Sequence, residues 1–282
     1  MSATAQEGKI RLLSIPLLHN PHLLTALEGK LDIALEGLSL WNPMEIRVFG
    51  PGTRLFDGWW EPGKNVEESG IGGGKRHNVA LVFQHLGLGA KDSVADFMSG
   101  DHTAVPKGVI GISVDASSNM LSSMAEREPW AETLAWDILA GAPQIKCSLA
   151  VLYGNALGAV SRSLEDKARM KIGEDFSRLG ERNDFVFLGK TSVIRHIYPT
   201  LREGGAILAE GANAHALLEV VQANPAEFRF SRVDVVGLTA EEEMKALKAK
   251  ADRRMPDENR IRVLSMADPR EVTSTKAMIF RT

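Results

Sequence analysis

The chain contains one cysteine, Cys147, set within an apolar run. No disulfide can form within the chain, so a reducing, cytoplasmic environment is expected, and a lone thiol in such a run reads as a small core residue. No apolar stretch reaches the roughly 18 residues that a membrane span requires. The first residues, Met1 to Lys9, lack the apolar centre of a signal segment. A membrane partner is therefore not expected. There is no basic surplus either: 33 Lys and Arg against 36 Asp and Glu leave a formal net charge of -3. That balance argues against a protein that coats nucleic acid. Repeats and low-complexity tracts are absent. What remains is an ordinary globular composition, 44% hydrophobic and 24% charged over 282 residues, enough for one large α/β domain with a full core.

Composition shifts between Gly50 and Gly74, where Gly, Pro and polar residues surround Trp59-Trp60. This reads as a long loop and sets the expected boundary: residues 1–74 form an N-terminal region, and 75–282 the main domain. The aromatic pair could serve as a lid or an anchor for that loop. Residues 9–49 read as mixed strand and helix, with segments at 9–18, a helix after Asn20-Pro21, and segments at 32–40 and 44–49. Strand-like apolar runs are expected at 78–83, 108–114, 145–153, 184–188, 205–210, 232–238, 261–266 and 276–281. Helix-length amphipathic segments are expected at 91–99, 118–140, 161–179, 192–202, 214–224 and 239–254. Thr239 and Glu242 have the spacing of a capping box. Strands alternating with helices predict an α/β fold: a Rossmann-like, mostly parallel seven-stranded sheet with helices on both faces. An antiparallel hairpin would close its C-terminal edge, with an N-terminal extension ahead of it.

The segment Gly111-Ile112-Ser113-Val114-Asp115-Ala116-Ser117-Ser118-Asn119-Met120-Leu121 carries the strongest signal. A strand ends in one carboxylate and a helix follows at once, which suits hydrogen bonding to a ribose diol. Ahead of it, Gly87-Leu88-Gly89 reads as a turn between a strand and a helix, where glycines let a ligand approach the backbone. Tyr153-Gly154-Asn155-Ala156-Leu157 ends a third run and offers an amide for an adenine edge. Gly189-Lys190-Thr191 is not a phosphate loop, because position 184, where that motif needs glycine, is Asp.

In this order the segments resemble the class I S-adenosylmethionine-dependent methyltransferases. That family has a Gly-rich turn after its first strand, an acid ending the second, and Gly-Asp/Asn-Ala-Leu after the third. An Asp-x-Val-x-Leu strand follows, here Asp184 to Leu188, and then a Leu-x-x-Gly-Gly turn, here Leu201 to Gly205. The resemblance runs from Asn78 to Arg281. It implies S-adenosylmethionine as cofactor, with Gly87 and Gly89 under the methionine part. Asp115, with Ala116 beside it, would bind the ribose, and Met120 would lie near the adenine. Asn155 and Ala156 would hold the adenine edge, and Leu188 would border the transfer site. His85 stands where the family has an acid, and Lys91 where it often has a third glycine. Gly189 occupies the place of a metal-binding acid in catechol-type relatives, so no metal is expected, and the stretch from His19 to His22 lacks further ligands.

Methyl transfer needs close approach and often a base for the acceptor's proton. His196, Lys190 and His85 are the catalytic candidates, with Glu210 also expected near a strand end; histidine suits a base near neutrality. The acceptor is expected to be an oxygen or nitrogen of a small molecule or a protein, with nucleic acid disfavoured by the charge. The N-terminal region would cover the acceptor site or form a homo-oligomer contact. Two alternatives stand beside this reading. One is an inactive, methyltransferase-like binding or assembly subunit, which the irregular Gly87–Gly89 turn supports. The other is an NAD(P)-dependent oxidoreductase, since Gly-x-Gly with Asp115 also suits a dinucleotide, although position 92 is Asp where a third glycine belongs.

Overall fold

A computed structural model describes residues 45–51, 71–153, 156–172, 179–242, 244, 264–268 and 271–282. The Trp59-Trp60 pair, the stretch from His19 to His22 and Asn155 lie outside these residues, as do most of 1–74 and of the charged run from Glu241 to Arg254. In chain order the elements are β1 (Glu45–Pro51), α1 (Ile71–His85), β2 (Ser93–Phe97), β3 (Ile110–Asp115), α2 (Ser118–Arg127) and β4 (Glu132–Ala135). Then come β5 (Cys147–Leu152), α3 (Ala156–Ile172), α4 (Leu179–Ile197), a 3-10 turn (Tyr198–Thr200), β6 (Leu201–Glu210) and α5 (Ala212–Ala223). The chain closes with β7 (Arg232–Thr239), β8 (Leu264–Met266) and β9 (Val272–Arg281). The described residues fall into two compact units: those within 90–220, and those up to 89 together with those within 221–282.

In the unit of residues 90–220 the strands run in the order β4-β3-β2-β5-β6, and every pairing is parallel. The chain steps outward from β2 to β3 and β4, then returns to β5 on the other side of β2. The order therefore reverses between β2 and β5. This is the Rossmann-like, doubly wound arrangement, a fold whose ligands generally bind at the carboxyl ends of the strands near such a reversal. Strands β2 and β5 are buried along their whole length, as central strands covered on both faces must be.

In the other unit β7 pairs antiparallel with β9 and parallel with β1, and β1 pairs antiparallel with β8. Nine strands lie among the described residues; β1 and β8 fall in the runs at 44–49 and 261–266, whereas β2 and β4 lie where helix was expected. The capping box at Thr239 is formed: Thr239 N–H donates to Glu242 Oε2 at 2.8 Å, and Glu242 N–H to Thr239 Oγ1 at 3.3 Å.

Four expected elements have the wrong type. Residues 78–83 belong to the helix α1. Its buried face is Lys75, Asn78, Val79 and Val82, which has helical spacing, but its two polar members hide the period in the sequence. Residues 91–99, expected as a helix, hold the strand β2, whose Ser93 and Asp96 are buried polar groups. Residues 184–188, expected as a strand, lie inside α4. There Val186, Val193, Ile194 and Ile197 are buried, a stripe that a five-residue apolar run cannot reveal. The long helix expected over 118–140 stops at Arg127, and β4 follows.

Candidate functional site

Strand β3 delivers Asp115 to the carboxyl edge of the parallel sheet, and the next residues turn into α2. Ser117 caps this helix, its hydroxyl accepting from Met120 N–H at 3.4 Å. Leu121 and Met124 are buried, while Met120, in the first turn, is 48% exposed. Each oxygen of the Asp115 carboxylate accepts one backbone N–H: Oδ2 from Gly100 at 2.9 Å and Oδ1 from Ser117 at 2.8 Å. A carboxylate offers about four acceptor positions, so this one keeps room for a diol. Ala116 beside it is exposed.

The Gly100 contact comes from the connection between β2 and β3, residues 98–109, which contains no helix. Its backbone is fastened by buried side chains. Asp96 Oδ2 accepts from Ala104 N–H at 2.7 Å, and Glu128 Oε2 from Thr103 N–H at 2.7 Å. The Thr103 hydroxyl accepts from Val105 N–H at 3.0 Å and from Ser113 Oγ at 2.7 Å. Arg127 donates to the carboxylate of Asp101 at 3.1 Å, and this guanidinium holds the Asp101 carboxyl below the usual carboxylate range. His102 Nδ1 lies 3.6 Å from Glu128 Oε1.

Within this loop Met98 has φ +56° and Gly100 has φ +67°. The left-handed region suits glycine, but for a methionine it costs about 1–2 kcal/mol. The neighbouring contacts hold the conformation: Ser99 N–H donates to Val114 O at 3.3 Å, and Gly100 N–H to Asp115. A Cβ placed on Gly100 would meet nothing within 4 Å, so open space lies over that glycine.

Strand β4, next to β3, adds a third wall. Trp136 N–H donates to the Asp115 carbonyl at 2.9 Å, which seats the residues after β4 against Asp115. The Trp136 indole is 37% exposed, and its Nε1–H donates to Gly141 O at 2.8 Å. Asp137 is exposed and accepts from Leu139 N–H at 2.9 Å through Oδ1. Trp136 and Met120 are thus exposed apolar side chains on the two segments that adjoin Asp115. On the other side of β2, Tyr153 follows β5 and Glu210 closes β6. Leu152 pairs with Ala209, so these two buried residues are neighbours at the same edge.

Several expected site residues lie elsewhere. Gly87 and Gly89 precede β2 instead of following a strand. Gly87, at φ +69°, ends α1: its N–H donates to Gln84 O at 2.9 Å and Leu88 N–H to Phe83 O at 3.1 Å. That pairing is a helix C-terminal cap, which explains the glycine without a ligand. His85, in the last turn of α1, sits beside a buried carboxylate: its Nε2 is 3.1 Å from Asp234 Oδ2, which Arg232 also contacts. Phe49 stacks edge-on against the His85 ring at 4.5 Å.

Leu188 is 65% exposed in the middle of α4, and Lys190 lies half-buried two residues on; neither ends a strand. His196 is in the last turn of the same helix, ahead of β6, and therefore at the amino end of the parallel strands. Its Nδ1 donates to Ile138 O at 2.6 Å, a packing role. Ala156 is the buried first residue of α3. The buried Asn213 ties the start of this helix to the end of β5, accepting from Leu157 N–H at 2.9 Å and donating to Leu152 O at 3.2 Å. Sequence reading missed Asp96, Met98, Gly100, Trp136 and Asp137. The available signal was the run Val94-Ala95-Asp96-Phe97 followed by Gly100, an acid and a glycine at the end of a strand.

Among the described residues no group of three or more His, Cys, Asp or Glu could hold a metal ion, and no helix is long and apolar enough to cross a membrane.

No protein-family model and no curated protein matches the chain. Solved structures similar to it include an S-adenosylmethionine-dependent O-methyltransferase from Thermotoga maritima, at 13% identity and a TM-score of 0.40, covering 72% of this chain and 63% of that one. The N-methyltransferase NodS from Bradyrhizobium japonicum WM9, solved with S-adenosyl-L-homocysteine, is 13% identical at a TM-score of 0.36, covering 74% and 87%. DesVI from Streptomyces venezuelae is 14% identical at a TM-score of 0.35, covering 59% and 58%. The chain thus spans less than two thirds of the Thermotoga and Streptomyces proteins. At these identities and scores the likeness assigns no activity.

Proposed function

We propose that the protein binds S-adenosylmethionine at the carboxyl edge of β2, β3 and β4 and transfers its methyl group to an oxygen or nitrogen of a small molecule or protein. The observation that carries this reading is Asp115: a strand-end carboxylate beside a topological reversal, braced by two backbone amides and flanked by exposed Met120 and Trp136. The ribose hydroxyls would donate to Asp115, the adenine would lie between Met120 and Trp136, and the Asp137 carboxylate would accept from the adenine amino group. Bound there, the cofactor supplies an electrophilic methyl group on a sulfonium. The acid and glycine expected after the first strand of such a domain are Asp96 and Gly100, not residues 85–89. Asp96 acts by holding the loop through Ala104 N–H.

The acceptor would approach over β5 and β6, where Tyr153 and Glu210 stand. Glu210 is the carboxylate at this edge that would take the acceptor's proton as the new bond to the methyl carbon forms. Acidity of the chain as a whole favours an acceptor other than nucleic acid. The oxidoreductase reading has less support, since the first strand of the parallel unit is followed by turns and no helix whose N-terminus would face a pyrophosphate. The inactive binding subunit is the second reading, and Met98 in a glycine-type conformation favours it. Titration calorimetry with S-adenosylhomocysteine tests the reading: saturable binding is expected, and no heat at millimolar ligand rejects it. Transfer of labelled methyl to an extract fraction separates the enzyme from the binding subunit.

A further inference from the structure

We infer that Met98 is a selectivity residue that lets the nucleoside into the site but weakens the grip on the amino-acid arm carried at its 5′ position. The inference rests on the nucleoside reading of Asp115 given above. Phe97 pairs with Val114 in the β2–β3 ladder, so Met98 and Asp115 are next neighbours at the carboxyl edge. The backbone at Met98 needs a left-handed turn, because only then do Ser99 N–H and Gly100 N–H reach Val114 O and Asp115 Oδ2. A glycine would make that turn without strain. The thioether side chain is therefore an addition that the loop's geometry does not require, and the left-handed backbone disfavours it.

The direction of the bound nucleoside decides what this side chain meets. Trp136 and Asp137, joined to Asp115 through Trp136 N–H, draw the base toward β4. Base and 5′ substituent leave a ribose from opposite ends, so the 5′ arm runs back toward β2, across Met98 and the open space over Gly100. Met98 is half-buried, and from this register position its side chain would take up room at the start of that path. A long, flexible side chain yields at some cost, so the arm is admitted but poorly held. Adenosine, which has no arm, does not meet it.

The test compares S-adenosylhomocysteine and adenosine by calorimetry on the full chain and on Met98→Gly. Similar affinities for the two ligands are expected in the unaltered protein. In Met98→Gly, S-adenosylhomocysteine is expected to bind about tenfold tighter, with adenosine changed by less than about twofold. Met98→Asn, which tolerates the left-handed backbone with a shorter side chain, gives the same comparison should the glycine variant not fold. Unchanged S-adenosylhomocysteine affinity in a folded variant overturns the inference while leaving the nucleoside reading intact. An equal gain for both ligands overturns it too, since that is a loop effect and not obstruction of the arm. If neither ligand binds either protein, the nucleoside reading fails and the inference falls with it.

Discussion

Each oxygen of the Asp115 carboxylate accepts one backbone N–H, so the residue both shapes the loop after β2 and presents acceptors to a ligand. Replacing it by Asn keeps the shape but loses the charge and turns one acceptor into a donor facing an amide. Asp115→Asn is expected to weaken S-adenosylhomocysteine binding by about tenfold to a hundredfold, since charge-assisted bonds are worth about 1.5–3 kcal/mol each. Calorimetry measures it, and an unchanged affinity removes Asp115 from the site. Cys147 shows the opposite case of a residue whose chemistry is suppressed. Burial pushes its thiol from 9.0 up to about 11, so the folded protein holds almost no thiolate at neutral pH. A disulfide reagent at pH 8 is expected to modify it only after unfolding. The sign for stability follows: as pH rises above 9 the unfolded chain releases this proton and the folded chain does not, until about 11. That window favours unfolding, and the midpoint of urea denaturation is expected to fall across it more steeply than in Cys147→Ser.

Among the elements that sequence patterning placed correctly, β5, β6 and β7 are apolar runs buried over most of their length. Those it mistyped carry polar residues on a buried face, such as Lys75 and Asn78 in α1 and Asp96 in β2, or an apolar run too short to show a period. Gly189 of α4 and Gly205 of β6 mark where elements touch. A Cβ on Gly205 would come within 2.8 Å of Arg202 O and 3.2 Å of Ser148 O, both backbone atoms in the β5–β6 pair. Gly205→Ala is therefore expected to cost about 1–3 kcal/mol, because a sheet backbone cannot move aside locally. On α4, a Cβ at Gly189 would press on the Leu164 side-chain methyls of α3. Those can rotate, and alanine gains about 1 kcal/mol of helix propensity over glycine. Gly189→Ala is expected to stay within about 1 kcal/mol of the parent. Parallel urea titrations of the two variants check the contrast; equal losses would mean that α3 and α4 are as unyielding as the sheet.

At the scale of the whole molecule, the nucleoside reading predicts which ligands stabilise the fold. S-adenosylhomocysteine at a hundred times its dissociation constant is expected to add about 2.7 kcal/mol and raise the melting temperature, whereas NAD and NADP are expected to leave it unchanged. A thermal-shift series measures this, and a response to NAD alone restores the dinucleotide reading. The sequence by itself determined the α/β class, the strand–acid–helix segment around Asp115 and the burial of Cys147. These follow from local alternation, from a carboxylate ending an apolar run and from apolar neighbours, all within a few residues of one another. Only the tertiary structure decided which strand comes first in the parallel unit. That depends on β2 pairing with both β3 and β5, contacts between residues far apart in the chain. The β2–β3 pairing set Met98 beside Asp115, and other long-range contacts joined His85 to Asp234 and His196 to Ile138. None of these partners is near its residue in the sequence, so no local pattern could record them.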